Sequence, residues 1–192
     1  METLKMETLT KCNCKDPDQI MRDLAELDLD CIKIKLMLMQ KEDTGKHWSM
    51  DKIDHVADMY KNFLYLSATQ DEPVVPTRDI DELWHVHILD TEKYAADCDR
   101  IFGRFIHHFP YFGIRSTEDR HTRKAAFKRT GELYEKAFGK KYSKNDGEMG
   151  SCNDEGCTPC VGGPRAIDRA RPSFKEHQLM HDLGLITYRI IA

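Results

Sequence analysis

DIDELWHVHILDTEKYAADCDRIFG, Asp79 to Gly103, decides between a helical fold and a sheet-based one. Stepped at about 100° per residue, Ile80, Leu83, Trp84, Val86 and Ile88 gather on one side of a helix, with His87 at the centre of the arc. The pattern restarts at Asp90 or Thr91, and Tyr94, Ala95, Ile101 and Phe102 form a second apolar face around Cys98. Gly103 stops that helix, as a glycine just past a last turn commonly does. Two consecutive helices, each apolar on one face, call for helix-on-helix packing.

Helix signals continue on both sides. The first of this pair should begin near Thr77, after EPVVP (Glu72 to Pro76), an extended connector in which each proline biases its predecessor away from helix. Ser49 caps a helix with Ile53, Val56, Ala57, Tyr60, Phe63 and Leu64 on one face. DPDQ at Asp16–Gln19 supplies an Asp cap, a proline at the first helical position and a glutamine at the third, for a helix running to about Leu27. Ser116 opens a long polar helix whose narrow stripe is Phe127, Gly131, Tyr134 and Phe138, closed by Gly139. The exception is LDLDCIKIKLMLM, Leu27 to Met39. There Ile32, Ile34, Leu36 and Leu38 alternate with lysines and methionines, and period two suggests a strand. No second good strand follows to pair with it, so a helical or extended segment lying on the core is the other option.

The expected fold is all-α or mainly α. Residues 1–15 form an N-terminal tail, in which Met1–Leu4 recurs as Met6–Leu9, and 16–140 form a compact helical domain. Residues 141–192 form an irregular tail rich in Cys and Gly, with room for a short helix at its end. A chain of 192 residues can bury a substantial core without metals or disulfides. The formal net charge of -4 gives no electrostatic reason to expect nucleic acid or an anionic membrane as partner. No apolar run approaches the length of a membrane span and no cleavable signal is evident, so a cytoplasmic protein with reduced thiols is expected.

Four of the nine histidines, His85, His87, His107 and His108, fall between Leu83 and Gly113. His85 lies on the flank of its helix, four residues after Asp81, where the two side chains meet. On an unbroken helix His85 and His87 diverge, so joint ligation would need the backbone to leave helical geometry near Val86 or Leu89. In the extended segment after Gly103, His107 and His108 point to opposite sides. The candidate metal ligands are therefore His85, His87, Cys98, His107 and His108, with His87 the inner one and Asp81 or Asp90 orienting a ring from behind. Imidazole with thiolate or carboxylate suits Fe, Zn or Cu. The plainer reading makes the same imidazoles core residues that hydrogen-bond buried partners, and Cys98 a small hydrophobe. His55 and His121 fall on polar faces and read as solvated.

The segment Asp79 to Gly113 resembles the bacterial members of the glycine-rich domain-containing protein-like family. The shared pattern is D-x-x-W-H-x-H-x-L-D, then Y-x-x-D-C and F-G, carried here by Asp81, Trp84, His85, His87, Leu89, Asp90, Tyr94, Asp97, Cys98, Phe102 and Gly103. The likeness covers about residues 16 to 140 and implies a helical domain without implying a reaction. Plant relatives place this domain ahead of glycine-rich segments, and the present sequence contains no such run.

A second possible site lies in the tail, where Cys152, Cys157 and Cys160 precede His177 and His181. The C-x-x-C and H-x-x-x-H spacings resemble a zinc finger, but the loop between them is slightly long and the supporting apolar residues are missing. The sequence carries no phosphate-cradling glycine loop, nucleophile elbow, dinucleotide fingerprint or HExxH motif. Two function classes remain. One is a small metal-binding helical protein, in its sharper form a non-haem metal-dependent oxidoreductase acting on a small molecule or peptide. The other is a non-catalytic interaction module with core histidines and a peptide-binding face built from the aromatics of FPYFG, Phe109 to Gly113.

Overall fold

In the computed structural model, residues 15–44, 48–142 and 171 are described. Among them the regular structure consists of six helices and no strand: α1 Pro17–Ala25, α2 Asp30–Thr44, α3 Met50–Thr69, α4 Arg78–Leu89, α5 Thr91–Phe102 and α6 Thr117–Phe138. The expected all-α class is the observed one. No helix among the described residues is long and apolar enough to cross a membrane.

Local chemistry sets most of the boundaries. Ser49, Thr77, Asp90 and Ser116 each cap a helix by accepting a backbone N–H three residues on. Gly103 and Gly139, at φ 64° and 65°, close α5 and α6 in the left-handed conformation that side-chain-bearing residues avoid. α1 ends at Ala25, two residues earlier than Leu27, and Leu27 and Leu29 are buried in the turn that follows.

The alternating segment Leu27–Met39 is a helix, not a strand. Period two would place Ile32, Ile34, Leu36 and Leu38 on one face. The structure buries Leu29, Ile32 and Leu36 and leaves Ile34 60% and Leu38 53% exposed. Positions 29, 32 and 36 carry the helical i, i+3, i+7 spacing, and a lone strand would have left its backbone groups without partners.

α4 packs against α2, α3 and α5, while α3 also touches α1 and α6. Ile53, Tyr60 and Phe63 of α3 and Ile80, Leu83 and Trp84 of α4 are all fully buried. The Phe63 and Trp84 rings stand edge-on at 5.0 Å. The hub helix of the core is thus the helix that carries the histidine motif.

Candidate metal centre

Asp81 and His85 occupy successive turns of α4 and project to the same flank. His108 reaches them from the connector between α5 and α6. That connector is turned back by Gly103 and held by a chain of buried hydrogen bonds. Trp84 Nε1–H donates to the Tyr94 hydroxyl at 2.9 Å, and Tyr94 O–H donates to the Ile106 carbonyl at 2.6 Å. With Ile106 and Phe109 buried on either side, the His108 ring is fixed between Trp84, at 4.7 Å between centroids, and His85, at 4.6 Å.

The Asp81 carboxylate lies between the two imidazoles. Oδ2 is 3.6 Å from His85 Nδ1, and Oδ1 is 3.5 Å from His108 Nε2. One candidate ligand atom from each of the three residues fits within 4.8 Å of the others, the one such group among the described residues. Asp81 Oδ1 and His108 Nε2 are both buried and neither has a hydrogen-bond partner. Two ligands at roughly 2.1 Å from a tetrahedral ion would lie about 3.4 Å apart, close to the spacing of these two atoms. His85 Nδ1 is 2.8 Å from the Asp81 carbonyl. A carbonyl only accepts, so Nδ1–H donates to it. The three side chains form a group that could hold one metal ion.

The other expected residues lie elsewhere. His87 is 1% exposed, as its place in the apolar arc requires, but both ring nitrogens are engaged. Nδ1 is 2.9 Å from the Tyr60 hydroxyl and Nε2 is 3.1 Å from Asp97 Oδ2. Burial pushes the Tyr60 phenol well above its usual range, so its O–H donates to Nδ1 and Nε2–H donates to Asp97. Burial also holds the His87 pKa below its ordinary value, with Asp97 pulling the other way. The residue expected as the inner ligand is therefore a neutral hydrogen-bonding member of the core. α4 is unbroken through Val86, so His85 and His87 diverge and do not share an ion.

Cys98 is buried on α5, and burial raises its pKa against the opposing pull of the Ile106 backbone and the Tyr94 hydroxyl. It remains a thiol apart from the group. His107 is exposed beside Phe105, its ring 4.9 Å away. Asp90, expected behind a ring, is the exposed cap of α5. Asp81, expected in the same supporting role, joins the ligand group itself. His55 and His121 are exposed, as expected. Of the FPYFG aromatics, Phe109 and Phe112 are buried and Tyr111 is half-buried. Cys152, Cys157, Cys160, His177 and His181 lie outside the described residues, as does the repeated N-terminus.

A family model described as UCP032817-like matches residues 32–135, more than half of the chain. The chain belongs to the UCP032817-like family. The matched span of that family runs from within α2 into the last turn of α6 and includes every residue of the Asp81–His85–His108 group. Similar proteins include glycine-rich domain-containing proteins 2 and 1 of Arabidopsis thaliana, 33% and 32% identical over 90 residues. These matches cover 44% of this chain and 11% of either plant protein, so the chain spans a small part of the length of these relatives. No solved structure matches it.

Proposed function

We propose that the protein binds one divalent transition-metal ion through Asp81, His85 and His108, and that this ion serves non-haem oxidoreductase chemistry on a small molecule or peptide. The supporting observation is the pair of buried atoms without hydrogen bonds, Asp81 Oδ1 and His108 Nε2, 3.5 Å apart. A carboxylate oxygen and an imidazole nitrogen left in this state carry a desolvation cost that an ion would remove. Two histidines and one carboxylate leave coordination positions open, as in non-haem Fe(II) oxygenases and catalytic zinc sites. When bound, a redox-active ion in such a site supplies electron transfer to a substrate or to dioxygen. The side chain of His85 is 41% exposed, so substrate would approach over its ring, while Trp84 closes the opposite side of His108.

Anaerobic loading with Fe(II) followed by exposure to air tests both parts of this reading. About one equivalent of iron should be retained, and oxygen should be consumed faster than by free Fe(II) in the same buffer. Retained iron without oxygen consumption would sink the oxidoreductase assignment while keeping the metal site. Failure to retain Fe(II), Zn(II) or Cu(II) would sink both.

A further inference from the structure

Arg123, on the second turn of α6, is 6% exposed and has no hydrogen bond, ion pair or ring contact among the described residues. Guanidinium stays charged at every physiological pH, so it cannot escape burial by losing its proton. The carboxylate one turn before it, Asp119, stands where an i, i+4 counterion belongs. That carboxylate is committed elsewhere: it accepts from Gly113 N at 2.6 Å, from Arg115 N at 3.2 Å, and from Arg115 Nε and Nη2 at 3.1 and 2.6 Å. The neighbours at i−3, i+3 and i+4 are Arg120, Ala126 and Phe127, none of them an anion. The stem lies directly against the Gly113 turn. A Cβ placed on Gly113, at φ 95°, would come within 2.5 Å of Arg123 Cδ, so backbone and arginine are fitted to each other. Nε is a guanidinium nitrogen sealed from solvent without a partner.

We infer that Arg123, presented beside the Gly113 turn, is a binding site for a small oxyanion, a carboxylate or phosphate group that accepts from its guanidinium. The planar fork of a guanidinium matches two oxygens of either group. This site shares no residue with the metal group and stands or falls independently of it.

Thermal melts of the metal-depleted full chain provide the test, with inorganic phosphate in one arm, acetate in the other and chloride balancing ionic strength. At about ten times the half-saturating concentration, the responding anion should raise Tm by about 3–6 °C. A response to phosphate alone assigns a phosphate group, and a response to acetate alone a carboxylate. Arg123→Met, which keeps the apolar stem volume, should abolish the shift. An equal shift in that variant, or no shift in the parent with either anion, overturns the site. If Arg123→Met does not fold, the Arg123 side-chain Nε–H resonance of the parent decides. It should move during the anion titration, and an unmoved resonance overturns the proposal.

Discussion

His85 and His87 are separated only by Val86, yet their surroundings give them opposite roles. The His87 ring is locked between Tyr60 and Asp97 and ties α3, α4 and α5 together. His87→Ala should remove about 2–4 kcal/mol of stability, from the cavity and from two buried groups left unpaired. Equilibrium urea melts check this, and a loss no larger than that of His85→Ala would contradict the buried network. Asp119 offers a second test. Burial raises its pKa, but the hydrogen bonds from Arg115 and Gly113 outweigh that and hold it below its ordinary value. A carboxyl depressed in the folded state contributes stability that is present above its unfolded pKa and lost as pH falls through the folded one. Asp119→Asn should therefore cost about 1–3 kcal/mol at pH 7, with the two proteins converging as pH drops below about 4. Parallel stability curves across that range would exclude the carboxylate as the cause. Much of this scale was legible in the sequence, because helical stepping alone separates a central His87 from a flanking His85 next to Asp81. The choice of His108 was not. It depends on the Trp84–Tyr94–Ile106 hydrogen bonds, which join residues 10 and 12 apart and leave no periodic trace. Arg123 was also missed, since a charged residue on a polar helix reads as solvated. Its one signal was its spacing of four from Phe127 in the buried stripe that continues to Thr130 and Tyr134.

At the level of elements, α2 is the segment whose pattern misleads. Strict alternation from Ile32 to Leu38 fits a strand, but a strand needs a neighbour, and the residues that reach the core are three and four apart. The two geometries predict different mutational patterns. Leu36→Ala should cost about 2–4 kcal/mol, whereas Ile34→Glu should stay within about 0.5 kcal/mol. Comparable large losses at both positions would restore the strand. Caps were well read apart from Asp16, whose side chain makes no cap hydrogen bond to α1 while Gln19 pairs with Asp23 and Arg22. Ser49, Ser116, Gly103 and Gly139 act through one local bond or one backbone angle, so their effect is written within a few residues of chain.

For the whole molecule, the consequence of this packing is that the hub helix supplies two of the three candidate ligands. α4 supplies the buried Leu83 and Trp84 on one side and Asp81 and His85 on its flank, while α5 and its connector bring His108 across. An ion bound there would link α4 to the connector, so binding and global stability should be coupled. Trp84→Phe should retain most of the core while losing the N–H that holds Tyr94, and thereby loosen His108. A stability loss of about 1–2 kcal/mol together with weaker metal uptake is expected. Unaltered uptake would show that the connector is positioned by apolar packing alone. The central claim is tested most directly by metal stoichiometry on untagged, metal-depleted protein titrated with Fe(II) and Zn(II) and measured by elemental analysis. The parent and His107→Ala should bind about one equivalent, and Asp81→Asn and His108→Ala less than about 0.1. A parent that takes up no metal, or a His108→Ala variant that binds as the parent does, would contradict the Asp81–His85–His108 centre.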